Sequence, residues 1–216
     1  MKTIAITIKT VEKTGVLHQI AEKLAIKNFN IIYTHLFVEE DNTGTIYMEI
    51  EGVEDDHELI NYVNSISDVT SVEFHKTLSD IYGKRVIVVG DGEFMAQAVK
   101  GGIMEAEKHN INGERISVDG MMIGGGTQIQ EAIIAISRLP RVCALVLSGS
   151  MMGGKITNAI TRLKESDKEI IVVTLQMPGD VLTASDVTVN DPVQAGAMAV
   201  RMVSDIDKLD VYNQII

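Results

Sequence analysis

The chain has 216 residues, 45% of them hydrophobic and 23% charged, and a formal net charge of −11. That charge argues against a nucleic-acid partner, which needs clustered Lys and Arg, and against an anionic membrane surface. The length predicts two domains of unequal size, and a single cysteine, Cys143, leaves no internal disulfide or Cys-rich metal site.

Ile4, Ile6 and Ile8 alternate with Thr3, Ala5, Thr7 and Lys9, which predicts a strand with one buried face. Leu17, Ile20, Ala21 and Leu24 then recur at helical spacing, predicting a helix from about Gly15 to Lys27. Two strands follow, NIIYTHLFVEE and TIYMEIEG, joined by the turn residues DNTG. Asp55 and Asp56 open a second helix with Leu59, Ile60, Val63 and Ile66 inward, and VTSVEFHKT is a fourth strand. The order βαββαβ within residues 1–79 is the ferredoxin-like solution, two helices on one face of an antiparallel sheet.

SDIYGKR reads as a linker, after which strand and helix alternate over residues 84–208. RVIVVG is a continuous apolar run, as expected of a strand buried on both faces. Met95, Val99, Ile103 and Ala106 mark the helix after it. RISVDG, VCALVLS, EIIVVTL and DVTVN supply four more strands, and Asp191 caps a last helix opened by Pro192. The expectation is a five-stranded parallel, doubly wound Rossmann- or flavodoxin-like domain. Its fourth connection, QMPGDVLTAS, is too short for a full helix.

Gly15 stands where the first strand becomes helix. Without a Cβ the backbone there admits a ligand closely, and the first helical turn offers unpaired N–H groups to a carboxylate. A plain tight turn accounts for the same residues. The stretch TGVLHQIAEKLAIKNFNI within βαββαβ resembles an ACT domain, a small regulatory module that often senses amino acids. Here KTGVL carries Thr14 where that family has Pro, and Lys13 stands near the place of its acid. The resemblance implies pairing of two copies, with an effector at their interface. Thr14, Gly15, Val16 and Leu17 would offer backbone amides to its carboxylate. Asn28, Asn30 and Ile31 would come from the next turn, on the partner copy. The aromatic stripe Tyr33, His35 and Phe37 is either ordinary sheet cover or a subunit interface. Across nearly its full length the chain also resembles an uncharacterised two-domain family of methanogenic archaea, through GKRVIVVGDG, HNINGERISVD, GSMMGGKIT and NDPVQAG.

In the second domain ligands are expected outside the carboxyl ends of the strands. Gly90, Asp91, Gly92, Asp119, Ser148, Gly149 and Ser150 gather there. GSMMGGK has P-loop spacing, but Ile156 stands where Ser or Thr should hold Mg²⁺ and Thr157 comes one position late. GDGEF lacks the third glycine of a dinucleotide fingerprint. Asp91, Asp119 and Asp191 are each expected to close a strand, as helix caps or, for the first two, as Mg²⁺ ligands. No catalytic constellation, metal spacing or cofactor motif is legible. The expected function is a cytoplasmic, homo-oligomeric regulatory protein binding a small metabolite, an amino acid foremost. The alternative is a metabolic enzyme acting at the strand ends of the second domain, with the first as its allosteric arm.

Overall fold

The computed structural model describes residues 2–149, 154–166, 168–175 and 180–205. The chain divides into two compact units, Met1–Ile81 and Tyr82–Ile216.

In the first unit the elements are β1 (Thr3–Val11), α1 (Val16–Ile26), β2 (Asn30–Val38), β3 (Thr43–Glu51), α2 (Asp56–Asn64) and β4 (Val69–His75). The strands form one antiparallel sheet in the order β2-β3-β1-β4. This is the ferredoxin-like arrangement. Ile4, Ile6 and Ile8 of β1 stand opposite Ile50, Met48 and Ile46 of β3, and all six are buried with Ile20 and Leu24 of α1 and Leu59 and Val63 of α2. Each such side chain contributes about 2 kcal/mol of burial, so the alternation of β1 fixes which sheet face the helices cover. The Asp55 carboxylate caps α2 by accepting from His57 N–H at 2.8 Å.

A register shift at Ile31/Tyr33 puts Tyr33, and with it His35 and Phe37 by alternation, on the sheet face away from the helices, opposite Glu49, Tyr47 and Thr45. The rings of Tyr33 and Tyr47 meet edge-on at 6.1 Å. Tyr47 Oη donates to the buried Glu49 carboxylate at 2.8 Å, and burial, reinforced by that carboxylate, pushes the phenol pKa up. Glu49 also accepts from Leu78 N–H at 2.7 Å. That bond ties down the segment expected as a linker, which forms a short helix, α3 (Leu78–Tyr82). Its start is a reciprocal capping box: Thr77 Oγ1 accepts from Asp80 N–H, and the Asp80 carboxylate accepts from Thr77 N–H.

The second unit runs β5 (Lys84–Gly90), α4 (Gly92–Ile111), β6 (Ile116–Met122), α5 (Gly126–Ile136), β7 (Val142–Ser148), α6 (Lys155–Lys164), β8 (Ile171–Leu175), α7 (Val181–Ala184), β9 (Val187–Val189) and α8 (Pro192–Val203). The five strands are parallel in the order β6-β5-β7-β8-β9. The sequence change of direction falls between β5 and β7, as in a flavodoxin-like sheet. β5 and β7 are buried almost throughout, which explains their unbroken apolar runs.

Helices α4 and α8 pack against each other, and α5 against α6. The first contact is closer than side chains permit. A Cβ on Gly101 would stand 2.0 Å from Val193 O, and one on Gly196 would stand 1.8 Å from Ala98 O. The buried stripe of α4 is therefore Met95, Ala98, Gly101, Gly102, Glu105, Ala106 and His109, while Ile103, expected inward, is 52% exposed. Glu105 accepts from Arg201 Nε at 2.6 Å and from Lys108 Nζ at 2.6 Å, and these bonds, Arg201 first, hold its pKa below the usual carboxylate value. His109 is buried against Ser204 and Glu114, both at 3.1 Å from Nδ1.

Candidate functional sites

In the first unit the β1–α1 turn is built by Gly15, whose φ of +92° and ψ of −3° lie in the left-handed region. That conformation lets the chain swing from β1 into α1 across residues 12–15. No side chain caps α1, and the N–H groups of Leu17 and His18 have no acceptor among the described residues. Nothing stands within 4 Å of the place a Gly15 Cβ would take, so the turn is open. Leu17, expected on the inner face, is 40% exposed beside it. The floor of the turn is charged but neutralised: Asp68 accepts from Lys13 Nζ at 3.2 Å and from Gln19 Nε2 at 3.2 Å. Lys13, which departs from the ACT pattern, thus answers a carboxylate that would otherwise repel an anion at the helix start. Thr14, Gly15, Val16 and Leu17 all lie at this opening.

Asn28, Asn30 and Ile31 lie at the other end of α1, about 17 Å away along an eleven-residue helix. Asn28 has φ +58° and ends the helix in a Schellman motif: its N–H donates to Ala25 O at 3.0 Å, and Phe29 N–H to Leu24 O at 3.0 Å. Its backbone conformation is therefore structural, and its side chain remains available. Asn30 opens β2 opposite Glu51, and Ile31 pairs with Ile50. Within one chain the two groups do not meet.

In the second unit Gly90, Asp91, Gly92 and Ser148 come together at the β5/β7 switch point. Gly90 stands beside Ser148, and a Cβ there would lie 1.6 Å from Ser148 O, so only glycine fits. Asp91 N–H donates to Ser148 O at 3.3 Å, and Gly92 begins α4 with φ +59° and open space over it. Ser148 Oγ is buried and has no hydrogen-bond partner among the described residues. A buried hydroxyl left in that state points to a water or ligand group that satisfies it. Gly149 follows directly; Ser150 lies outside the described residues.

The three aspartates separate. Asp191 caps α8, accepting from Gln194 N–H at 2.8 Å. Asp91 precedes α4 without a side-chain cap bond. Asp119 does not close its strand: β6 continues to Met122, and Asp119 sits mid-strand opposite Ile87, paired with Arg85. It is about 13 Å short of Asp91 along the sheet, so the two carboxylates do not converge on a Mg²⁺ ion. The strand outruns the VDG signal because Gly120 is not a turn. It is where α4 presses on the sheet, and a Cβ there would meet Val99 Cγ2 at 2.8 Å.

The start of α6, which supplies the Gly-Lys of the P-loop-like stretch, is already engaged. The Asp180 carboxylate accepts from Gly154 N–H at 3.1 Å and from Thr157 Oγ1 at 2.8 Å, and these bonds, the hydroxyl first, lower its pKa. A protein carboxylate thus occupies the place of an incoming phosphate, and Thr157 binds it rather than a metal. No group of three or more His, Cys, Asp or Glu able to hold a metal is present among the described residues. None of the described helices is long and apolar enough to cross a membrane.

A family model described as a domain of unknown function, DUF5612, matches residues 75–215. The chain belongs to the DUF5612 family. An uncharacterised protein of Methanocaldococcus jannaschii is 46% identical to it over 96% of this chain and 95% of that one. An uncharacterised protein of Archaeoglobus fulgidus is 39% identical over 92% of this chain and 91% of its own length. Among solved structures, the ACT domain from GTP pyrophosphokinase of Chlorobium tepidum covers 34% of this chain and 96% of that one, at 21% identity and a TM-score of 0.29. A formyltetrahydrofolate deformylase from Pseudomonas putida covers 80% of this chain and 59% of that one, at 11% identity and a TM-score of 0.34.

Proposed function

We propose that this DUF5612 protein is a regulatory sensor whose first unit binds a small zwitterion, an amino acid foremost, at the Gly15 turn. The observation that carries the reading is the open, uncapped N-terminus of α1 over Gly15, with its neighbouring acid neutralised by Lys13. The effector carboxylate takes the Leu17 and His18 amides and the positive end of the helix. Asn28 and Asn30 of a second copy receive its amino group, since α1 separates them from the turn in one chain. The Tyr33, His35 and Phe37 stripe supplies the contact between copies. The second unit binds a further small ligand over Gly90, Asp91, Gly92, Ser148 and Gly149, with Ser148 Oγ as donor.

The test is a thermal-shift screen of amino acids at millimolar concentration, with Gly15→Asp as control. Asp tolerates the left-handed region better than most residues and sets a carboxylate where the effector's should be. A ligand at a hundred times its Kd stabilises by about 2.7 kcal/mol, a readily measured shift. Gly15→Asp should keep the fold and lose the shift. No shift with any amino acid, or a shift untouched by Gly15→Asp, refutes the reading.

A further inference from the structure

We infer that the solvent face of α4 is a contact between two copies of this chain, laid antiparallel about a two-fold axis that passes between Ile103 and Met104.

The buried stripe of α4 already packs it on the sheet and on α8. A surface helix held in this way is ordinarily polar on its other face. Here Ile103 and Met104 are each 52% exposed and Ile111 is 78% exposed. Residues of an α-helix turn by about 100° each, so Ala96, Lys100, Ile103, Met104, Glu107 and Ile111 fall within an arc of about 100° opposite the buried stripe. All six are exposed.

The spacing of this stripe identifies what covers it. Positions 96 and 111, 100 and 107, and 103 and 104 share one midpoint. A second copy of α4 laid antiparallel on the first therefore sets Ala96 against Ile111, Lys100 against Glu107 and Ile103 against Met104. Each pair occurs twice, as an isologous contact requires. The chemistry matches at every pair. The small Ala96 leaves room for the Ile111 side chain, opposite charges meet, and apolar side chains meet at the axis. Neither the Lys100 nor the Glu107 side chain has a hydrogen bond or ion pair among the described residues. On one helix they stand about 10 Å apart, too far to pair with each other. A parallel arrangement would set Lys100 on Lys100 and Glu107 on Glu107. Two copies of net charge −11 repel, so a contact needs this local neutrality.

A groove of about 600 Å³ runs along the flank of the stripe, walled by Ile103, Ala106 and Ile111 and by Ile116 and Val118 of β6. Met104 of the second copy lies over Ile103 at its rim. An unbranched Met suits irregular apolar space of this kind.

The experiment is disulfide trapping on the full chain. Packed helices lie about 8–10 Å apart, which brings facing Cα atoms into disulfide range. Ala96→Cys and Ile111→Cys proteins, mixed in equal amounts and mildly oxidised, should give a covalent dimer on a denaturing gel. Each protein alone should not, because like positions stand about 22 Å apart along the axis. The single variants also report any linkage through Cys143. Adding Lys100→Glu to both proteins loses two attractions and gains two repulsions, and should slow trapping about thirtyfold. Adding Glu107→Lys as well should restore it. All four positions are exposed, so the substitutions leave the fold intact. No trapping in the mixture, equal trapping in a single variant, trapping unchanged by Lys100→Glu, or no rescue by Glu107→Lys overturns the proposal.

Discussion

The α4–α8 contact makes a demanding prediction at Gly196. An alanine methyl there would stand 1.8 Å from Ala98 O and 2.7 Å from Gly102 N, both backbone atoms, where ordinary contact begins at 3.4 Å. No side chain can move aside, so the helices must part by about 1.5 Å, and a gap of that order forfeits much of the dispersion along the contact. Overpacking against backbone of this kind costs about 3 kcal/mol. For a unit of this size Gly196→Ala should lower Tm by about 10 °C in calorimetry. Gly126→Ala is the control: it sits at the first position of α5, has no heavy atom within 4 Å of the new methyl, and has no positive φ. It should be neutral or slightly stabilising. A Gly196→Ala protein melting within about 1 °C of wild type would refute the close-packing argument.

Asp191→Ala removes the α8 cap and should cost about 1 kcal/mol by urea unfolding, with the slope unchanged. Glu105 has a folded pKa below its ordinary 4.5, so its stabilisation is complete above that value and is lost as pH falls through the folded pKa. Glu105→Gln should therefore flatten the loss of stability below pH 4.5 in a pH series of denaturant midpoints. Gly15→Ala meets no steric obstacle but forces a left-handed alanine, and should cost about 1 kcal/mol in the same assay. Phe37→Glu should reduce self-association in sedimentation while leaving the circular dichroism of the monomer intact.

Much of the architecture was written in local pattern. The alternation of Ile4, Ile6 and Ile8 and the unbroken runs of β5 and β7 reported burial directly. The Asp191-Pro192 start of α8 is a local capping signal, and it held. What escaped depended on distant residues. Ile103 kept helical spacing yet faces outward, because the inner stripe of α4 is made of glycines chosen by α8. Gly120 looked like a turn and is a packing point, which moved Asp119 into mid-strand. Asp180 at the start of α6 was invisible because it follows Thr157 by more than twenty residues. The α3 helix is legible in the Thr77-to-Asp80 capping box, although the glycine of the expected linker lies just beyond it. At the Gly15 turn the opening followed from one glycine, whereas the role of Lys13 required knowing where Asp68 lies.

The most direct measurement is an NMR titration of the ¹⁵N-labelled protein with the amino acid that gives the largest thermal shift. The account predicts saturable movement of the Leu17 and His18 amide resonances together with those of Asn28 and Asn30. Movement confined to other residues, or none at millimolar ligand, would contradict it.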